Sequence, residues 1–243
     1  MKNAIKAEIR KLFTVRSTYG LAIFSLLLTI LLSFYIKGLR AEGPISDPHY
    51  LQQIPLIVSS IIAVIMALSA TLLVGFDYRH NTILYSMSAV RKRVHVLFAK
   101  IVAITLLITL FSVFIAAVSL GCTMLGLNLH HVSYAHQTIS VLDILWRIVF
   151  YSWGYAMLAL MIAFIARNMV ASIVAFFLIP TTVEQLLSLL LGKNTAYLPF
   201  NALTGVLGDS ERLSHKGGMF VTLIYIAVSG AVVWFLLNRC DAN

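Results

Sequence analysis

Six apolar stretches, each long enough to cross a bilayer as a helix, constrain this chain more than any other feature. A hydrocarbon core about 30 Å thick takes about 20 mainly apolar residues in a helix that rises about 1.5 Å per residue. The stretches run from Tyr19 to Ile36, Ile54 to Phe76, Val96 to Leu120 with an extension towards Leu127, Ile144 to Ala166, Met169 to Leu191, and Met219 to Leu237. Backbone in hydrocarbon must satisfy its own hydrogen bonds, so each stretch is expected to be a helix and the chain an all-α polytopic membrane protein. Composition agrees: 60% of the 243 residues are hydrophobic and 11% charged, against about 45 to 50% and about 25% in soluble domains. One transmembrane domain over 1–243 is therefore expected, with no soluble catalytic domain.

The first stretch follows a basic segment, as a secretory signal does. Its apolar run is longer than a signal core, and no small-x-small cleavage site follows, so an uncleaved span is expected. Within 1–17, Ile5, Ile9, Leu12 and Phe13 fall on one helical face and Lys2, Lys6 and Arg10 on another. An amphipathic helix lying in the interface is expected there, with a plain basic anchor as the alternative.

Basic residues set the orientation. On the side of the termini lie Lys2, Lys6, Arg10, Lys11, Arg16, Arg79, Arg91, Lys92, Arg93, Lys100, Arg167 and Arg239; the other side has Lys37, Arg40, Arg147, Lys193, Arg212 and Lys216. Twelve against six puts both termini in the cytoplasm of a multi-pass plasma-membrane protein. Trp146, Tyr151 and Trp153 fit an outer aromatic belt. The net charge of +9 gathers at span ends, where it meets anionic headgroups, so nucleic acid is not an expected partner. Cys122 and Cys240 fall on opposite sides of the membrane and form no disulfide or metal pattern.

The polar segments carry the functional information. From Asp77 to Lys100 the chain reads Asp77-Tyr78-Arg79-His80-Asn81-Thr82-Ile83, a mildly apolar stretch through Leu84, Tyr85 and Met87, and then Arg91-Lys92-Arg93. A short surface helix flanked by charges can dock in a groove of a cytosolic partner. A basic loop that only serves topology is the competing reading. Between Gly192 and Gly218 the connection holds Lys193, Pro199, Asp209, Glu211 and Arg212, too polar to cross. Just before it, Pro180 disturbs helical hydrogen bonding and Glu184 is a carboxylate in a span. A bend or reversal is expected there, with Glu184 either lining a pathway or gate, snorkelling outward, or pairing with a neighbouring helix.

Taken together, the basic amphipathic N-terminal helix with Glu8, Arg10 and Lys11, the segment from Asp77 to Lys100, and the connection carrying Tyr197-Leu198-Pro199-Phe200-Asn201-Ala202-Leu203 resemble the permease subunits of ABC-2 type ABC transporters. The likeness spans nearly the whole chain. It implies that 77–95 is a coupling helix seated on a separate nucleotide-binding subunit, with Asp77, Arg79, Thr82, Arg91, Lys92 and Arg93 at or near that contact. It further implies that 192–217 dips into the outer leaflet as re-entrant helices, and that a second permease copy or a related one completes the transporter. ATP and Mg²⁺ would sit on the partner ATPase, with no cofactor on this chain.

Several chemistries have no motif here. No Gly-x-x-x-x-Gly-Lys-Ser/Thr occurs, and Gly192-Lys193-Asn194 lacks the hydroxyl residue and the preceding glycine. His-Glu-x-x-His and Gly-x-Ser-x-Gly are missing too. His130, His131 and His136 share one loop without fixed ligand spacing or an intervening carboxylate, and read as ordinary loop histidines. The expectation is an ATP-driven exporter subunit that is not itself an enzyme, moving a drug, an antimicrobial peptide or a lipid-like molecule. Its rivals are an ion-gradient secondary transporter, which normally needs ionisable groups near the midplane, and a non-transporting sensor or scaffold.

Overall fold

A computed structural model of the chain describes residues 2–39, 50–80, 94–129, 131, 140–208 and 212–239. All regular structure among them is helical. An amphipathic α1 (Lys2–Thr14) leads into α2 (Arg16–Ile30), which continues as a π-helical stretch, Leu31–Leu39. Two long helices follow, α3 (Tyr50–Arg79) and α4 (Val94–Leu129), then α5 (Val141–Ala166). Next come α6 (Met169–Leu178), a π turn (Ile179–Val183), α7 (Glu184–Leu191) and a 3₁₀ turn (Gly192–Tyr197). Helices α8 (Pro199–Leu207) and α9 (His215–Arg239) complete the order.

Six helical stretches are long and apolar enough to cross a membrane: Arg16–Tyr35, Tyr50–Arg79, His95–Leu129, Val141–Ala166, Met169–Leu191 and His215–Asn238. This is the anatomy of a multi-pass membrane protein. The 30 residues of α3 rise about 45 Å, well beyond a hydrocarbon core of about 30 Å, so its ends reach past the apolar layer. The third stretch runs beyond the expected Leu127, to Leu129.

Helices α3 and α5 form the buried centre. Ala63, Ala67, Ala70 and Val74 on α3 and Ala156, Ala159 and Ala163 on α5 are all fully buried. Small side chains at helical spacing let two backbones approach, and in lipid that dispersion contact, rather than hydrophobic exclusion, holds helices together. Around this pair pack α2, α4, α6 and α9, whose outward faces carry exposed apolar side chains such as Ile23, Leu110, Val170 and Phe220. Such a surface suits lipid.

Local sequence explains the turns. Between α5 and α6, Arg167 takes a left-handed conformation and Asn168 caps α6, its side chain accepting from the amides of Val170 and Ala171. A short polar side chain before a helix does this well. At Pro180 the missing N–H and the bulk of the ring convert one turn to π geometry, and the Thr181 hydroxyl donates to the Phe177 carbonyl at 2.6 Å. Of the bend or reversal expected around Pro180 and Glu184, the reversal does not occur there, and the helix is distorted to a π turn instead. Helix resumes through Leu191 and the chain turns at Gly192, whose φ of +51° suits glycine.

Tyr151, expected in the outer belt, is buried instead, its ring tilted against Tyr155, which in turn meets Phe176 and Phe200. Trp153 is half-buried and donates to the Thr105 hydroxyl at 3.1 Å, joining α5 to α4.

Candidate functional site

Two polar sites stand out, one at each end of the bundle. Each ties a helix that does not span to helices that do.

The first is built on α1. Its apolar face buries Leu12, and that orientation carries Glu8 and Lys11 inward to the ends of α3 and α4. Lys100, one turn and a half into α4, has no exposed surface and donates to Glu8 at 2.9 Å, to the Leu73 carbonyl at 3.2 Å and to Asp77. An ammonium has three donors, and these three acceptors use all of them. Lys11 closes the ring, with its Nζ 2.9 Å from Glu8 Oε1 and 3.1 Å from Asp77 Oδ1. Glu8 and Asp77 are each 4% exposed. Two cations and two anions thus form a neutral buried quartet joining residues 8, 11, 77 and 100, which is the condition under which buried charge is tolerated. At Lys11 burial pulls the ammonium pKa down, but the Glu8 and Asp77 carboxylates outweigh that and raise it above 10.5.

The second site is built on Glu184. It is 2% exposed, and its two oxygens accept from the amides of Phe200 at 2.8 Å and Asn201 at 2.9 Å. These are the second and third residues of α8, whose own N-cap position, Leu198, has no capping side chain. A carboxylate 16 residues upstream therefore caps α8, satisfying two amides that lack intrahelical partners and meeting the positive end of the helix dipole. So capped, α8 lies against α5 and α9. A methyl group on Gly154 would come 2.6 Å from Leu203, and one on Gly218 would come 2.6 Å from the Ala202 carbonyl. Beside it, Asp143 accepts from Gln52 and Trp146 and pairs with Arg147. His215 Nδ1 lies 3.3 Å from the Gly205 carbonyl. These contacts draw together the ends of α3, α5, α8 and α9.

Of the residues named from the sequence, Glu8, Lys11 and Asp77 come together in the quartet. Arg10 and Arg79 are exposed nearby. The carboxylate of Asp77 faces into the bundle, towards Lys11 and Lys100. Thr82, Arg91, Lys92 and Arg93, with most of the expected coupling segment, lie outside the described residues, as do His130, His136, Asp209 and Glu211. Pro180 sits in the π turn, and Glu184 spends its carboxylate on the α8 amides. Among the described residues no three His, Cys, Asp or Glu gather as metal ligands.

Lys100 was missed as a site residue because it counted only as one more positive charge. A signal was present: Gly75-Phe76-Asp77 and Phe98-Ala99-Lys100-Ile101 embed opposite charges in apolar context at adjoining ends of consecutive spans. The fold and sites define a multi-pass helical membrane protein with two docked, non-spanning helices. No family model matches the chain, and no curated protein matches it.

Proposed function

We propose that this chain is the permease subunit of an ATP-driven exporter of the ABC-2 type, embedded in the cell membrane with both termini in the cytoplasm. Its bundle forms part of the substrate pathway, and a separate cytosolic ABC ATPase binds ATP and Mg²⁺ and does the hydrolysis. A second copy, or a related permease, completes the pathway. The cargo class is a drug, an antimicrobial peptide or a lipid-like molecule.

The observation that carries this reading is the buried quartet. Segment 81–93 springs from the end of α3 and enters α4, and Asp77 and Lys100 sit at those two roots, both bonded to Glu8 on α1 or to its neighbour Lys11. A force on that segment is therefore delivered to α1, α3 and α4 as one body. A loop serving topology alone needs no such brace. In this scheme Arg79, Thr82, Arg91, Lys92 and Arg93 meet the ATPase and Asp77 holds their base, while α8 enters the outer leaflet and the Pro180 turn with the Glu184 cap forms the outer hinge or gate.

The test is affinity purification of the tagged full chain from its native membrane with ATP hydrolysis arrested. Recovery of an ABC ATPase is expected, falling sharply when Arg91, Lys92 and Arg93 become Ala and the segment around them is scrambled. Undiminished recovery after that change would count against the reading. So would ion-gradient transport by the chain alone in ATP-free proteoliposomes.

A further inference from the structure

Beside the quartet, between the α1–α2 elbow and α3, lies a cavity of about 240 Å³. Leu12, Val15, Leu72, Leu73 and Phe76 give it apolar walls, and Ser17, Thr18, Ser69 and His80 give it a polar part, together with Lys11 and Asp77, which face each other within the quartet. We propose that this cavity is a binding site for one anionic phospholipid, with an acyl chain against the apolar walls and the phosphate beside the start of α2.

Volume, polarity and charge each favour that occupant. Apolar cavities of roughly 150 Å³ already take up benzene, so this one admits a length of hydrocarbon. The polar part holds a Ser17 hydroxyl that is buried without a hydrogen-bond partner, a group that normally has one in a native protein. Helix α2 begins at Arg16, and Val15 at its N-cap position supplies no side-chain cap, leaving a partly positive helix start on the cavity wall. Lys11 and Asp77 of the lining neutralise each other within the quartet, and the exposed Lys6, Arg10 and Arg16 belong to the same α1–α2 segment. Basic residues beside an amphipathic helix attract acidic headgroups, at about 1 kcal/mol each near the surface. A neutral lipid satisfies the walls but not this rim. The site does not depend on the transport reading.

The experiment uses the purified full chain in detergent, with phosphatidylglycerol and phosphatidylcholine as the two probes, and with phosphatidylglycerol carrying a photoactivatable acyl chain. Phosphatidylglycerol is expected to raise the thermal midpoint more than phosphatidylcholine. Photolabelling is expected on peptides containing Val15, Leu72 or Phe76. Filling the cavity by Leu72→Trp removes both effects, and Arg16→Gln weakens phosphatidylglycerol binding about fivefold, the factor for about 1 kcal/mol, while leaving phosphatidylcholine unchanged. Equal stabilisation by the two lipids, or labels spread around the outer faces of α4, α6 and α9, overturns the proposal. If Leu72→Trp does not fold, the position of the label on the native chain decides between these outcomes.

Discussion

The two ends of the bundle solve the same problem differently. Each must fasten a helix that lies outside the spanning set, where packing alone covers one face. At one end α1 is fastened by four ionised side chains from three elements, residues 8, 11, 77 and 100. At the other, α8 is fastened by one carboxylate bonded to two backbone amides 16 and 17 residues away. The first device is neutral only while complete, because losing any member strands a buried charge. The second borrows its compensation from a helix dipole that is present whenever α8 is helical. The quartet should therefore fail as a unit, and the cap should fail locally.

Lys100 offers the strongest way to break that comparison. Lys100→Met leaves Glu8 and Asp77 facing Lys11 alone, and removing one partner of a buried ion pair costs about 3–5 kcal/mol. A large drop in thermal midpoint is expected, together with protease cleavage after α1. Adding Glu8→Gln removes the stranded charge and should restore part of the loss, giving a favourable coupling in a double-mutant cycle. Additive losses would show that the four groups are not one unit.

Glu184→Ala should cost less, about 1–3 kcal/mol, the range for leaving buried donors unpaired. Hydrogen exchange should speed at the Phe200 and Asn201 amides while the α1 amides keep their protection. Simultaneous loosening of α1 would mean that the two ends are linked through the bundle, contrary to a local failure. Glu184→Gln retains a single acceptor oxygen and should fall in between.

The contact beneath α8 sharpens the comparison from the packing side. Gly154→Ala drives a methyl group to 2.6 Å from the Leu203 terminal carbon, and overpacking of this kind costs about 1–3 kcal/mol. Leu203 is the flexible partner, so Leu203→Ala should be less damaging beside Gly154→Ala than in the native chain. Thermal unfolding of the four proteins measures this directly. Equal cost in both backgrounds would show that α8 shifts bodily instead.

Much of the architecture was legible in the sequence because hydropathy over about 20 residues is decisive in lipid. The six stretches, the amphipathic face of α1 and the distortion at Pro180 all follow from residue type and spacing. What could not be read is where a side chain points once helices pack. Glu184 drew notice as a carboxylate in a span, but its partners are amides of a later helix, and backbone amides have no sequence signature. Asp77 and Lys100 stand 23 residues apart and Glu8 lies in another segment, so only the docking of α1 makes them neighbours. Tyr151 is of a belt residue type, yet it is buried beside Tyr155, a packing that residue type alone does not announce.

The finest test lies within the quartet, between its two lysines. Lys100 is wholly buried, whereas the Lys11 side chain keeps a third of its surface. Water can partly replace the partners of Lys11, so Lys11→Met should destabilise less than Lys100→Met. The pKa of Lys11 is raised in the fold, so its contribution is complete below the ordinary value of 10.5 and is lost as pH climbs through the higher folded value. Stability owed to this group should be flat across the neutral range, and α1 should loosen only in strong alkali. Lys11→Arg, which keeps its charge there, should postpone the loosening provided the longer guanidinium still reaches Glu8 and Asp77. Protease accessibility of the α1–α2 junction during an alkaline titration follows the change. Loosening that begins near neutrality would assign α1 docking to a group other than Lys11.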